Sequence, residues 1–600
     1  MPQHPQPLRL WPGVFAAALL LLLRLGLPVV WPEQTIIGVL SGVAGGAIIL
    51  LWWMFFSRAP WAERLGAVVL MVVGLAVTWP LVDVSISTGA MGALLPMLAI
   101  PPMSVALVVC AVASRGLTDA SRRATMVATI LLACGVWTLA KTGGFTSEFD
   151  NDLMWRWAKT PEERLVGNEA AALPLAHPVV AAPREVTAVV PLTPSSAPVS
   201  ETAPLVNVAR TPEWDGFRGP RRDGVVRGVR IETDWAKHPP SPLWRRPIGP
   251  GWSSFAVQGD LLYTQEQRGD EEIVSSYNIN TGRPVWSHRD TVRFWESNGG
   301  AGPRATPTLS NGRVYTFGAT GVLNVLDASS GALMWSHTVA TDTNTKVPTW
   351  GFSGSPLVVD ALNLVVVAAS GTLAAYDLAS GTLQWVGPHH DANESYSSPQ
   401  RLTIDGVDQI VLSSGDGATG VAPAGGKVLW EHALPGSPIL QPVLTSDGDL
   451  LIHKSGRDGT TGIVRLHVAN GPDGWKVTER WTSEALKTMF NDFVIHKGYA
   501  FGFDGSILAC VDLADGKRKW KGGRYGSGQL VLLRDQDVLL VVSEEGELAL
   551  VSATTDKFTE LARLPAIEGK TWNHPVLVRD VMLVRNGEEM AAFRVSVQRP

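Results

Sequence analysis

The nonapeptide DASSGALMW, residues 327–335, has close copies along the chain: NINTGRPVW at 278–286, DLASGTLQW at 377–385 and DLADGKRKW at 512–520. A shorter version ends in Trp430 and a looser one in Trp481. In each copy Gly supplies the positive φ that a tight hairpin needs, and Asp or Asn caps the turn. The Trp that follows is a repeated packing position, predicted to lie between neighbouring sheet modules. Working outward from each turn, the chain runs through an entering strand, a glycine turn, a very apolar second strand and a third strand.

The entering strands repeat independently, as SSF at 253–255, ATP at 305–307, GSP at 354–356 and SSP at 397–399. The series continues with LQP at 440–442, NDF at 491–493, SGQ at 527–529 and NHP at 573–575. Eight such triplets recur at roughly 36–52 residues, the period of propeller blades. Proline suits the start of a strand, where no ladder donor is needed. The last unit ends without a Trp, while Pro242-Leu-Trp244 precedes the first unit and has fourth-strand character. Pairing of these two ends is predicted to close the ring and remove its exposed edge. The fold class expected is therefore an α-helical transmembrane bundle of five helices followed by an all-β eight-bladed propeller.

The helical half rests on five apolar segments, at 11–31, 35–56, 65–83, 90–113 and 124–140. A bilayer crossing needs about 20 residues. Arg9, Arg58, Arg64, Arg115, Arg122 and Arg123 fall on one side of the alternating loops, and the other short loops carry no Lys or Arg. That bias puts the N-terminus in the cytoplasm and everything after residue 140 outside. Arg24 interrupts the leucines of the first span, either snorkelling to the outer interface or facing Asp83.

Residues 1–145 read as the membrane domain, 146–212 as a juxtamembrane segment and linker, and 213–600 as the propeller. Within the middle part, 148–170 is expected to form a short amphipathic helix with Trp155 and Trp157 as interfacial anchors. The Pro/Ala-rich run 171–212 reads as a semi-extended tether.

Composition excludes several functions. A formal net charge of −5 without a basic stripe argues against nucleic acid. Cys110, Cys134 and Cys510 form no disulfide framework and read as buried thiols. His389-His390 beside Asp391 is a weak metal motif.

The turn pattern D-x-x-[ST]-G-x-x-x-W with Ser-Pro strand starts resembles the pyrroloquinoline-quinone-like (PQQ-like) propeller repeat, over about 230–595. The lead-in WDGFRGPRRDG at 214–224 also looks like the segment preceding such propellers in bacterial chains. Five spans before a propeller resemble the layout of membrane-bound quinoprotein glucose dehydrogenase. The resemblance implies a bacterial inner-membrane protein with a periplasmic propeller. It includes both dehydrogenases that use PQQ with Ca²⁺ and binding propellers of outer-membrane protein assembly. The adjacent Cys pair of quinoprotein alcohol dehydrogenases is missing, and their calcium-binding Glu, Asn and Asp have no matching positions here.

Candidate site residues lie at the channel mouth, where strand starts and second-to-third-strand loops share one face. Asp492 and His574 are the candidate catalytic pair, as proton acceptors. Arg304, Asn491, Trp572 and Gln529 are the candidate cofactor-binding set: Arg304 as a carboxylate clamp, Asn491 as a hard oxygen donor, Trp572 as a stacking plane. Arg304, Asp492 and His574 stand where neighbouring repeats carry only Ser or Thr. Loop residues Glu266, Arg268, His453, Glu544 and Arg585 complete the mouth. The reading is a membrane-anchored propeller that binds a periplasmic partner protein or a small polar ligand. The rival is a PQQ-dependent membrane dehydrogenase that oxidises a sugar or alcohol and passes electrons to quinone.

Overall fold

The computed structural model describes residues 8–31, 35–147, 151–167, 173–175, 211–388, 394–436, 439–455 and 460–598. The chain divides into two compact units, residues 1–160 with 295–300, and residues 161–294 with 301–600.

The first unit holds five helices long and apolar enough to cross a membrane: Trp11–Val30, Ile37–Phe56, Trp61–Thr78, Leu94–Ala113 and Asp119–Leu139. The third starts and stops earlier than the hydropathy suggested. Pro60 precedes it, and Pro80, which has no N–H to continue the ladder, follows its end. The fourth is delayed because Ala90 and Met91 take positive φ in a turn before it. The fifth begins early, with Thr118 Oγ1 accepting from the Ser121 N–H. Glu63, only 4% exposed, receives Arg122 at 2.8 Å and Arg123 at 3.1 Å, so the starts of the third and fifth helices meet at one end of the bundle. Asp83 caps a helical turn at Ser85 and faces Arg156 at 3.8 Å.

The stretch expected to be an amphipathic helix folds differently. Asn151–Trp155 is a strand antiparallel to Ala140–Phe145, and a helix appears only at Pro161–Val166. Period-two alternation of Leu153, Trp155 and Trp157 prevails over the weak helical pattern. Part of the expected tether is also docked. Leu173 is buried in the propeller core, and Leu175 bridges Ser287 on the outer strand of blade one. The rest of the tether, and His389-His390 with Asp391, lie outside the described residues.

The second unit is an eight-bladed propeller. Each blade is a four-stranded antiparallel meander; blade seven gains Val225–Val226, parallel to its inner strand, as a fifth. Blade eight is completed by Ser241–Pro247, antiparallel to Glu589–Arg594, which is the ring closure expected from Pro242-Leu-Trp244. A Trp at the end of most blades does the joining; blade seven, ending in Glu560–Pro565, has none. Trp286 Nε1 donates to the Ala328 carbonyl of the next blade at 3.1 Å, Trp335 to Leu378 at 3.1 Å and Trp385 to Pro423 at 3.1 Å. Its ring lies on the turn glycine of that blade; a Cβ on Gly331, at φ +73°, would meet Trp286 at 2.4 Å. The glycine is thus required twice, for conformation and for contact. Trp430 departs from the pattern and donates to Gln409 within its own blade. All three cysteines are free and buried.

Candidate functional site at the propeller axis

The middle residue of each strand-start triplet forms a ring around the axis. In blades one to four these are Ser254, Thr306, Ser355 and Ser398. Ser254 N–H donates to Thr306 Oγ1 at 3.0 Å, Thr306 N–H to Ser355 Oγ at 2.9 Å and Ser355 N–H to Ser398 Oγ at 3.0 Å. Each hydroxyl therefore ties its blade to the previous one. In blades five to eight the same position reads Gln441, Asp492, Gly528 and His574. Gly528 has no side chain to offer, and the neighbouring Gln529 Oε1 accepts the Asp492 N–H at 3.1 Å.

The lead-in segment closes one end of the channel and touches all eight blades. Trp214 pairs with Val257, the Asp215 carbonyl accepts from Leu309, and Arg222 donates to the carbonyls of Ser355 and Pro356. Gln400 and Gln441 both donate to the Arg222 carbonyl. Arg218 reaches blade six, Val225–Val226 pairs with blade seven, and Phe217 stands edge-on to the His574 ring at 5.1 Å. Arg218, at φ +60°, and Gly219, at φ +80°, let the segment double back.

Asp492 is the centre of this closure. Its Oδ1 accepts from Arg218 Nη1 at 2.9 Å, and its Oδ2 lies 2.8 Å from His574 Nε2. Burial alone would push this carboxyl up, but Arg218 and His574 outweigh it and hold it below the usual carboxylate range. Arg218 also donates to the Phe493 carbonyl at 2.5 Å. Both carboxylate oxygens are therefore engaged inside the protein. Nothing in the sequence of residues 214–224 announced this role for Arg218, whose partner is 274 positions away.

The other candidates sort by blade. Asn491 Oδ1 accepts from the Met489 N–H at 3.0 Å, and Gln529 Nε2 donates to the Phe490 carbonyl at 3.1 Å. Trp572 stands beside Phe490, with centroids 4.5 Å apart, and beside Trp252 at 4.7 Å. Its Nε1 donates to Glu544 Oε1 at 2.8 Å, and Lys570 Nζ lies 4.4 Å above its ring. Phe490, Trp572 and Trp252 each precede a ring residue by two positions, which puts this aromatic–cationic cluster on the mouth side, away from the plug. Arg304 holds the same position in blade two, two residues before Thr306, but is engaged locally. It donates to the carbonyls of Ala301, Gly302 and Trp350 and stacks on Phe294 at 5.0 Å.

Two further features line the axis. Arg585 and Glu266, both fully buried, stitch blade eight to blade one. Arg585 donates to Thr264 Oγ1 at 2.5 Å and to the Gln265 carbonyl at 2.8 Å, while Glu266 accepts from Gly249 N–H at 2.5 Å and from Arg268 at 2.9 Å. Burial pushes Arg585 down to about 10. In blade five, the Val443–Leu451 register sets Gln441 across from His453. Gln441 Oε1, both His453 nitrogens and Thr488 Oγ1 are buried without a hydrogen-bond partner. Burial pushes His453 down to about 4, so its imidazole is neutral at physiological pH.

Calcium ligation by Asp492 does not fit its present partners. Asp492 would have to surrender Arg218 and His574 to ligate calcium. Among the described residues, no three His, Cys, Asp or Glu side chains converge as a metal-ligand group.

Comparison with known proteins follows the blades. Residues 270–522, somewhat under half of the chain, match the family model described as "Outer membrane protein assembly factor BamB". The propeller carries the PQQ-like repeat. Outer membrane protein assembly factor BamB of Moranella endobia is 26% identical over 206 residues, 33% of this chain and 46% of that one. The protein of the same name from Yersinia pestis is 23% identical over 329 residues, 52% of this chain and 70% of its own. The chain thus spans less than half the length of the first relative. Among solved structures, quinohemoprotein alcohol dehydrogenase from Comamonas testosteroni matches with a TM-score of 0.48 at 12% identity. That match covers 66% of this chain and 82% of the other.

Proposed function

We propose that this chain is a membrane-anchored binding protein, whose PQQ-like propeller holds a partner protein or a small polar ligand at the mouth. In this reading the N-terminus is cytoplasmic, the spans lie in a bacterial inner membrane and the propeller stands in the periplasm. The observation that carries it is the use of the axial charges. Asp492, the best-placed carboxylate for general-base work or calcium, is spent on Arg218 and His574. At the mouth lies a partly exposed cluster of Phe490, Trp572 and Trp252 with Lys570, chemistry suited to recognition. The matched family's description, which concerns assembly of outer-membrane proteins, supports a protein partner.

Photo-crosslinking in cells, from a benzoylphenylalanine at position 490 or 572, tests the proposal. A discrete adduct is expected from both positions and from neither of the rim positions Leu333 and Leu561. Stoichiometric retention of PQQ with Ca²⁺ by the purified full-length protein, with dye reduction by sugars or alcohols, overturns it.

A further inference from the structure

We infer that the Ala140–Trp155 hairpin is a lipid-binding element, lying at the headgroup–acyl boundary with Leu153, Trp155 and Trp157 immersed. Alternation puts Leu153 and Trp155 on one face of the second strand, Trp157 follows in the turn after it, and all three are exposed, at 43%, 56% and 69%. The two indoles are stacked, with centroids 5.2 Å apart and planes 7° apart. Exposed stacked tryptophans beside a leucine form an apolar row that water solvates poorly, whereas the membrane interface suits amphipathic indole rings.

The depth of the row is fixed by covalent and hydrogen-bonded links to the helix ends. The first hairpin strand begins at Ala140, directly after Leu139, the last residue of the fifth helix. Trp155 is the register partner of Ala140, and Arg156 N–H donates to the Leu139 carbonyl at 2.8 Å. Arg156 and the backbone edge of the first strand are tied to the exit of the third helix. Arg156 donates to the Leu81 carbonyl at 3.1 Å, and Thr142 N–H to Ser85 Oγ at 3.0 Å. The hairpin therefore turns its polar links toward the bundle and its apolar row outward, at the level where two helices leave the hydrocarbon. Leu81 and Leu139, 56% and 45% exposed, continue the same apolar band. Continuity with the spans is what selects lipid over a protein partner as the occupant.

The inference rests on the membrane-spanning reading, so the experiment measures both. The full chain, with its buried cysteines replaced by serine or alanine, is reconstituted in lipid nanodiscs and spin-labelled at Leu153→Cys or Trp157→Cys. Leu132→Cys in the fifth helix serves as the membrane control and Lys557→Cys on the propeller as the aqueous one. Power-saturation EPR then compares collision with oxygen, which concentrates in lipid, against a water-soluble nickel chelate. Labels at 153 and 157 are expected to favour oxygen, as the label at 132 does. Nickel accessibility at 153 and 157 like that at 557, with 132 still oxygen-accessible, overturns the lipid contact alone. Protection from both reagents at 153 and 157 assigns the row to a protein contact and overturns it equally. Nickel accessibility at 132 overturns the spanning reading as well.

Discussion

Arg218 Nη1 lies 2.9 Å from Asp492 Oδ1, with side chains 0% and 3% exposed. This pair pins the lead-in loop into the axis of a ring whose blades otherwise meet mainly their neighbours, the Asp492–His574 and Phe490–Trp572 contacts between blades six and eight apart. A propeller without such a plug relies on consecutive interfaces alone. Here one short segment contacts every blade, so the loop couples blades that never meet.

Replacing Arg218 by Met strands a buried carboxylate, and breaking a buried pair from one side costs about 3–5 kcal/mol. Asp492→Leu is expected to cost a similar amount by stranding the guanidinium. The double variant is expected to recover much of the loss, because both charges go together. Urea unfolding of the full chain in detergent measures all three. The pH dependence has a definite sign. A carboxyl held low in the folded state contributes stability above its unfolded value, near 3.9, and loses it as pH falls through the folded value. The wild-type advantage over Asp492→Asn is therefore expected to be flat from pH 5 to 8 and to shrink below about pH 4.

The turn glycines separate conformational from contact requirements. Gly331 and Gly406 have nearly the same backbone, φ +73° and +75°. A Cβ at Gly406 meets nothing within 4 Å, whereas at Gly331 it meets the Trp286 ring at 2.4 Å. Gly406→Ala is expected to cost about 1–2 kcal/mol, the price of a left-handed residue with a side chain. Gly331→Ala is expected to cost that plus about 1–3 kcal/mol for overpacking against Trp286. Equal losses in denaturant titrations of the two variants would contradict the docking role of the indole.

What the sequence made legible follows from which interactions are periodic. Turn, Trp and strand-start triplets recur because each blade solves the same packing problem, and the ring closure at Trp244 followed from counting strands. Asp492 and His574 were visible as breaks in that periodicity, yet their purpose was not, because it depends on a single non-repeating contact with Arg218. Arg304 broke the repeat for a local reason, three backbone carbonyls and one Phe ring. The second hairpin strand, Asn151–Trp155, lies in the 148–170 stretch expected to be helical, where the alternation of Leu153 and Trp155 was the better guide.

Glu272 gives a pH dependence of opposite sign. It is 4% exposed, accepts from the Ala319 N–H at 3.2 Å, and burial pushes it up to about 7. The folded protein therefore holds a proton that the unfolded chain releases near pH 4.5, so stability falls as pH rises from there to about 7. A shift of this size corresponds to about 3 kcal/mol. Glu272→Gln, which keeps the acceptor for Ala319, is expected to flatten that decline and to be the more stable protein at pH 8. Thermal melts between pH 5 and 8 decide it, and parallel curves for the two proteins would assign the slope to other groups.

Ring closure can be tested by comparing two tryptophans in equivalent settings. Trp244 Nε1 donates to the Ile279 carbonyl at 2.7 Å and covers Gly282; Trp335 donates to Leu378 at 3.1 Å and covers Gly381. Both are partly buried, and truncation of either to Ala is expected to cost about 3 kcal/mol of its interface. Only Trp244, however, sits on the strand that pairs with Glu589–Arg594 and so joins the two ends of the propeller. Loss at Trp335 weakens one interface inside a ring that stays closed. Loss at Trp244 weakens the closing strand's hold on blade one at the seam between the two ends, leaving contacts such as those of Arg585 to keep it shut. Amide exchange at 589–594 is therefore expected to accelerate roughly 100-fold in Trp244→Ala, the rate equivalent of about 3 kcal/mol, and to stay unchanged in Trp335→Ala. If both variants leave exchange at 589–594 untouched, the plug centred on Arg218, rather than the seam, holds the ring shut.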